Sequence, residues 1–576
     1  MAHGLEAAMK RALVGVILVA AMGCAPGNES PAGIESRQPY DTGGPLKPEQ
    51  AAYDVLHYDL SLRIDPATRS LEGELGMRAR AVQPLDRVVM DLDPVFQVDG
   101  AWVDPDLGRV PALFHQRGAE VSIELDRPAT PGETVEVVVA YSGKPREAPM
   151  PPWWGGFSWA ESADGSPWIG VSCQIDGADV WWPCKDHPSD EPDEGVGLHF
   201  TVPKPLTVVS NGRSMGVTDE NDGWWTHHWR VGGPINLYNV TVNVGPFEAV
   251  ERQYIDVLGD ARTLTWWALP ESVDRAERLL EEFALQLRFF EEELGPYPFR
   301  GEKCSVVDTP YLAMEHQTNI SLGLDGDVRR GGFSYILLHE LGHEWWGNLV
   351  SAADWRDFWL HEGFDGYMEA RYAERLGGRD AYLAYMDEFM RPAVLNQRPP
   401  APAGSRWIRD VFVSLADDAD RFAGWDADAY TKGALVLHAL RYLVGDETFT
   451  QILRRWAYPD PSAESRTDGS VCRSVTTEQF IEHCEQLSGR ELDWFFDGYL
   501  RQARLPVLES RIEGDRLMLQ WRTEGSSQFP MPIDVAIGAD VARVEAPDGT
   551  ASVVIPAGVV PVVDPEGWVL RTDASL

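Results

Sequence analysis

The stretch that decides the fold reads Ser334-Tyr-Ile-Leu-Leu-His339-Glu340-Leu-Gly-His343-Glu344-Trp-Trp-Gly-Asn348, then Trp359-Leu-His-Glu362-Gly-Phe-Asp365-Gly-Tyr-Met-Glu369. The first run has no Pro and carries apolar residues at helical spacing, which predicts a buried helix. His339 and His343 stand four apart, so they leave one face of that helix a turn apart. Two imidazoles so placed can hold one zinc ion, at about 2.0–2.1 Å each. Glu340 is the residue type, in the right place, to polarise a metal-bound water. A catalytic zinc needs a third protein ligand, and Glu362 follows His343 after 18 intervening residues. Two antiparallel helices joined by a short loop would bring its carboxylate to the metal.

His-Glu-Leu-Gly-His-Glu-Trp-Trp-Gly-Asn at 339–348, followed by Trp-Leu-His-Glu-Gly-Phe at 359–364, resembles the aminopeptidase N family of zinc metallopeptidases, which includes the leukotriene hydrolases. The resemblance implies a gluzincin with one zinc per chain, held by His339, His343 and Glu362, and Glu340 as general base. It implies a multidomain α+β fold: an N-terminal antiparallel β domain, a thermolysin-like α/β zinc peptidase domain and a small C-terminal β-sandwich. Upstream, Tyr311-Leu-Ala313-Met314-Glu315-His316 is similar to the family's Gly-Ala-Met-Glu-Asn edge strand, with Leu312 for Gly and His316 for Asn. There Ala313 and Met314 would pair with an extended peptide, and Glu315 would accept hydrogen bonds from its α-ammonium. Gln174, in the Trp-rich segment Trp168–Pro192, stands where the family has an amine-binding Gln; the alternative is a structural amide. Asp428-Ala-Tyr430-Thr-Lys432-Gly433 is similar to the family's Tyr-Glu-Lys-Gly motif, with Thr431 for Glu, which implies Tyr430 as the donor to a developing oxyanion. Asp365 and Glu369 are both candidates to support a ligand histidine, or to form surface salt bridges.

The rest of the chain sets the frame. Its 576 residues suffice for several domains. A net charge of −40 argues against a nucleic-acid partner and favours cationic ligands such as peptide amines. Lys10-Arg11 before an apolar run from Ala12 to Met22 predicts a signal peptide over 1–24. Ala21-Met22-Gly23-Cys24 resembles a bacterial lipoprotein cleavage site, so the expectation is export to the cell envelope with a lipid on Cys24, ordinary secretion or periplasmic release being the alternative. Residues 25–48 are rich in Gly, Pro, Ser and Asn and read as a tether. Of the remaining cysteines, Cys472 and Cys484 are the candidate disulfide.

Period-two runs from Tyr53 onward, and a turn at Asn211-Gly212, predict a β domain over 49–250. The zinc domain is placed at 251–504. Within it Ser272–Leu294 reads as an amphipathic helix, Gly377-Gly378 as a helix stop, Pro-rich Arg391–Gly404 as a candidate entrance lining, and Ser488-x-x-Glu491 as a capping box opening a helix to Tyr499. Alternating residues after Pro506 predict the β-sandwich over 505–576. The large helical domain of many relatives does not follow in this sequence, which implies a more open cleft. The functional expectation is an aminopeptidase acting on peptides with a free N-terminal amine. The rivals are an endopeptidase or epoxide hydrolase of the same fold, or an inactive cell-surface binding lipoprotein.

Overall fold

The structure is a computed structural model that describes residues 40–103, 108–394, 398–412, 428–467, 469–524 and 528–575. The expected signal peptide, Cys24 and most of the tether lie outside the described residues.

Tyr53–Asp65 and Ser70–Ala81 pair as a long antiparallel hairpin at the centre of an eight-stranded sheet. Tyr58, Leu60, Leu62 and Ile64 are buried, while the residues between them reach solvent, as a period-two strand requires. Pairing in this sheet is antiparallel except between Tyr53–Asp65 and Val196–Pro203. A four-stranded sheet, in the order Thr207–Ser210, Val242–Gly245, Pro167–Ser172 and Gly156–Glu161, lies toward the zinc domain. Asn211-Gly212 does not close a hairpin. It carries the chain from this small sheet into the large one, whose strand Arg213–Asp219 pairs with Trp224–Val231. Gly212 is required there: φ is +71°, and a Cβ would sit 2.1 Å from the Arg230 carbonyl oxygen.

The next sheet has five strands in the order Glu248–Ile255, Ala261–Ala268, Cys304–Thr309, Asn319–Gly323 and Ala313–Met314. Ala313–Met314 is therefore an outer strand, paired on one side only, with Leu322 and Ser321. The helix Val273–Leu294 buries Leu279, Leu280, Phe283 and Leu287. Beyond it come the helices Tyr335–Gly342, Trp359–Tyr385 and Thr431–Val444. Gly378, at φ +73°, breaks the second of these where the Gly-Gly stop was expected. The last residues form two facing sheets of four and three strands, the small β-sandwich.

Two expectations are corrected. Ser488 opens no helix: it is the last residue of Thr477–Ser488, because Gly489 follows in the left-handed conformation that ends helices. The capping box belongs to that same helix, formed by Thr476 and Gln479, and the next helix starts at Asp493. Cys472 and Cys484 are both free, as are Cys173, Cys184 and Cys304; Cys484 is turned into the helical core.

Tyr40–Pro48, at the end of the expected tether, is docked. Asp41 makes two 2.7 Å hydrogen bonds with Arg409, the Thr42 carbonyl accepts from Ile408 N, and Gly44 N donates to the Arg406 carbonyl. Of Arg391–Gly404, residues 395–397 lie outside the described residues; Ala401 is buried and donates its N–H to the Leu500 carbonyl.

Candidate metal and peptide-binding site

His339 leaves the helix Tyr335–Gly342 and His343 caps it, both facing the helix that carries Glu362; His343 is buried and His339 is partly open to solvent. Their ligand atoms converge: Glu362 Oε2 stands 3.1 Å from His339 Nε2 and 3.6 Å from His343 Nε2. Donors about 2.0–2.1 Å from a tetrahedral ion stand about 3.3 Å from one another. Two imidazoles and a carboxylate at this spacing fit a zinc ion, and the donor set is that of a catalytic rather than a structural site. Burial would raise the Glu362 carboxyl, but the two imidazoles and their hydrogen bonds outweigh it and hold the group far below the usual carboxylate range.

Each histidine is fixed from behind. His339 Nδ1 lies 2.9 Å from Glu369 Oε1, and Tyr385 donates its hydroxyl to Glu369 Oε2 at 2.6 Å. His343 Nδ1 meets the Trp346 carbonyl at 2.8 Å and Asp365 Oδ2 at 2.8 Å. Asp365 and Glu369 thus both support a ligand, one histidine each. Such contacts leave Nε2 of each ring facing the metal position. Gly342 makes room for this: a Cβ there would fall 1.9 Å from Asp365 Oδ1.

Glu315 follows the outer strand and is buried, 2% exposed. Gln174 Nε2 donates to its Oε1 at 2.9 Å and Tyr238 donates its hydroxyl to the same oxygen at 2.8 Å. Asn348, at the end of the metal-binding stretch, holds the Glu315 carbonyl at 3.1 Å, and is itself held by Asn239. The Glu315 carboxylate, Glu340 and His343 offer atoms within 4.8 Å of one another. Burial raises the Glu315 carboxyl, and His343 opposes that shift. A cation placed against it, such as a peptide ammonium, would favour its charged form. Ala313 and Met314 are buried beside it. His316, where the family pattern has Asn, is fully buried; its Nδ1 meets Ser321 Oγ at 2.9 Å and burial lowers it to about 3, so it is neutral.

Glu340 Oε2 has no hydrogen-bond partner among the described residues. Its burial and the Glu315 charge raise its carboxyl, which favours taking up a proton. Tyr430 stacks on His339, with 6.1 Å between ring centroids and 14° between planes, and packs on Phe358 and Phe412. Its phenol is kept protonated by burial and by the nearby Glu362 and Glu315 charges. Every residue singled out from the sequence as a ligand, base, amine contact or oxyanion donor is thus within this one cluster. Tyr238 was missed; it comes from a single helical turn, Leu237–Asn239, that no local pattern marks.

The comparisons with known proteins agree with this geometry. The description "Peptidase M1 N-terminal domain" matches residues 55–235, and "Peptidase family M1 domain" matches residues 326–499. The chain is 24% identical over 477 residues to endoplasmic reticulum aminopeptidase 1 of Homo sapiens, a match covering 77% of this chain and 48% of that protein. It is 24% identical over 552 residues to aminopeptidase B of Homo sapiens, covering 86% of this chain and 77% of that one. Among solved structures it is similar to a mutant of the M1 zinc metallopeptidase from Deinococcus radiodurans bound to a Tyr-Ser-Ala substrate. That likeness has a TM-score of 0.63 at 26% identity and covers 81% of this chain and 98% of the other. The chain spans about half the length of the first curated relatives it matches. With both domain descriptions in their expected order, and with the two histidines and Glu362 set for a metal, the chain belongs to peptidase family M1.

Proposed function

We propose that this chain is a zinc-dependent aminopeptidase that removes the N-terminal residue of peptides with a free amine. The observation that carries the reading is the buried Glu315 carboxylate, held by Gln174 and Tyr238 next to Glu340 and His343. A buried acceptor that close to the metal ligands suits an ammonium group one residue from the scissile bond. It penalises a chain passing through with a neutral amide there, which weighs against an endopeptidase. The names of the similar proteins, two aminopeptidases and a substrate-bound zinc metallopeptidase, support the same reading.

His339, His343 and Glu362 would hold the zinc, which when bound polarises the substrate carbonyl and acidifies a water. The chain's own residues supply the rest. Glu315 and Gln174 fix the amine, and Ala313–Met314 offer the peptide an unpaired strand edge. Glu340 accepts the proton of the attacking water on its carboxylate and delivers it to the leaving nitrogen. Tyr430 keeps its proton and donates a hydrogen bond to the oxyanion. A panel of aminoacyl-arylamides, assayed with and without chelator and after zinc is restored, tests the reading. Hydrolysis that chelation abolishes and zinc restores is expected; indifference to chelator, or activity on N-acetylated substrates alone, overturns it.

Export with a lipid on Cys24 is likewise proposed, on residues 10–24 alone. Mature protein that partitions with membranes, and is released or left unprocessed by Cys24→Ser, is the expected result; a mature N-terminus without lipid overturns it.

A further inference from the structure

The docked segment Tyr40–Pro48 reaches a residue that touches the amine site. Thr42 and Gly43 meet Trp355, a fully buried indole on the single turn Trp355–Asp357. Its Nε1 donates to Thr42 Oγ1 at 3.4 Å. Gly43 has φ +90°, and a Cβ there would stand 2.2 Å from Trp355 Cδ1, so the backbone at Gly43 lies directly on the indole edge. The segment is itself stapled to both matched domains. His187, in the N-terminal one, donates through Nε2 to the Gly44 carbonyl at 3.0 Å. Gly44 N donates at 2.9 Å to the carbonyl of Arg406, in the other.

The same indole meets the Tyr238 ring edge to face, with 5.6 Å between centroids and 61° between planes. Tyr238 comes from the three-residue turn Leu237–Asn239, too short an element to fix a ring by its own packing. Its hydroxyl, kept protonated by burial and by the Glu315 charge, donates to Glu315 Oε1. Thr42-Gly43, Trp355, Tyr238 and Glu315 are therefore one unbroken chain of contacts. A hydrogen bond tolerates little misplacement of its donor, so what seats the ring sets the strength of this one.

We infer that Trp355, seated by Thr42 and Gly43, is the positioning residue for the Tyr238 hydroxyl, so that docking of the N-terminal segment sets how strongly the site selects a free amine. The stretch read as tether is then a working part of the amine site. Trp355 acts through Tyr238 and not on the peptide. The bland alternative is a buried Trp and a docked terminus that serve stability alone.

This rests on the aminopeptidase reading, and the test separates the two. Calorimetry on zinc-loaded protein carrying Glu340→Gln, which spares the ligand, compares a tripeptide with its N-acetylated form. Gly43→Ala and Trp355→Phe should each weaken the free-amine peptide about two- to tenfold, the range of one neutral hydrogen bond, and leave the acetylated one unchanged. In a Tyr238→Phe background neither should weaken it further, since the bond they act through is already gone. Trp355 also packs on Phe358, which meets Tyr430, so kcat would mix two effects that the amine preference keeps apart. Equal losses on both ligands, or an undiminished loss in the Tyr238→Phe background, overturn the inference. If Gly43→Ala does not fold, Trp355→Phe and Thr42→Val decide by the same comparison. Arylamide hydrolysis by the wild type reports on the aminopeptidase reading separately, and the binding comparison decides the inference whether or not arylamides are cleaved.

Discussion

Gly363 and Gly433 face each other across two helices, and a Cβ built on either would stand 2.9 Å from the other's Cα. Glu362 precedes the first glycine, and Tyr430 lies one turn before the second. The absence of two side chains is what lets Tyr430 reach His339. The helices Trp359–Tyr385 and Thr431–Val444 close to backbone contact there, and Tyr430 is brought to stack on His339.

Gly433→Ala should therefore act as an active-site mutation although it touches no substrate. One added methyl forces the helices apart at a cost of about 1–3 kcal/mol. Zinc content should be kept and kcat should fall at least tenfold as Tyr430 moves, with a lowered Tm. Metal analysis, kinetics and thermal unfolding on the same preparation check this. Wild-type kcat with a lowered Tm would detach Tyr430 from the glycine contact.

For Glu340 and His339 the expected signatures differ. Glu340→Gln should keep zinc, since all three ligands remain, and lose turnover about a hundred- to ten-thousandfold, the usual share of a general base. His339→Ala should lose the metal itself, because one of three protein donors is gone and Glu369 loses its partner. Stoichiometric zinc in His339→Ala, or full activity in Glu340→Gln, would refute the respective role.

Glu315→Ala should lower kcat/KM for free-amine substrates about ten- to a hundredfold with zinc unchanged, each charge-assisted hydrogen bond contributing about 1.5–3 kcal/mol. The preference for a free over an acetylated amine should shrink with it. Tyr238→Phe removes one of the two donors on Glu315 and should give the same pattern at smaller size, about 0.5–1.5 kcal/mol. The ratio of kcat/KM for a matched free and acetylated pair is the measurement. An unchanged ratio in Glu315→Ala removes Glu315 from amine recognition.

The two histidines were legible because a helix fixes the distance between residues four apart, Glu362 because a zinc site needs a third ligand, and Glu315 through the resemblance of Ala313-Met314-Glu315 to the family's edge-strand motif. What the sequence concealed depended on tertiary placement. Tyr238 lies 77 residues before Glu315. Asp365 and Glu369 were indistinguishable on one helix, and each proved to serve a different ring. Ser488-x-x-Glu491 and Thr476-x-x-Gln479 match the same capping pattern, and only the left-handed Gly489 shows which one opens a helix. Composition marked Tyr40–Pro48 as tether, but Asp41 finds its partner 368 residues away in Arg409.

That long-range pair leads to a dependence on pH. Arg409 is shared by two buried carboxylates, Asp41 at 2.7 Å and Asp176 at 3.3 Å. Burial, then the Asp41 charge, pushes Asp176 up to about 7 from a model-peptide value near 3.8, against the pull of Arg409 and Arg146 and of the Gly155 N–H. A carboxyl with a raised folded pKa binds its proton more tightly when folded. Its contribution to stability is therefore complete below about pH 4 and is lost as pH rises through about 7. Unfolding free energy should fall between about pH 4 and 7, by about 1–4 kcal/mol for this group. Asp186, likewise pushed to about 7 by burial and Asp91, adds a slope of the same sign. Asp176→Asn keeps an acceptor for Gly155 and removes one titration, so the slope of stability against pH should diminish by about one proton without vanishing. Denaturant unfolding at several pH values, on wild type and Asp176→Asn, measures it. Identical slopes in the two proteins would mean that Asp176 is ionised beside Arg409 throughout this range, and that Asp41 is not its competitor for the cation.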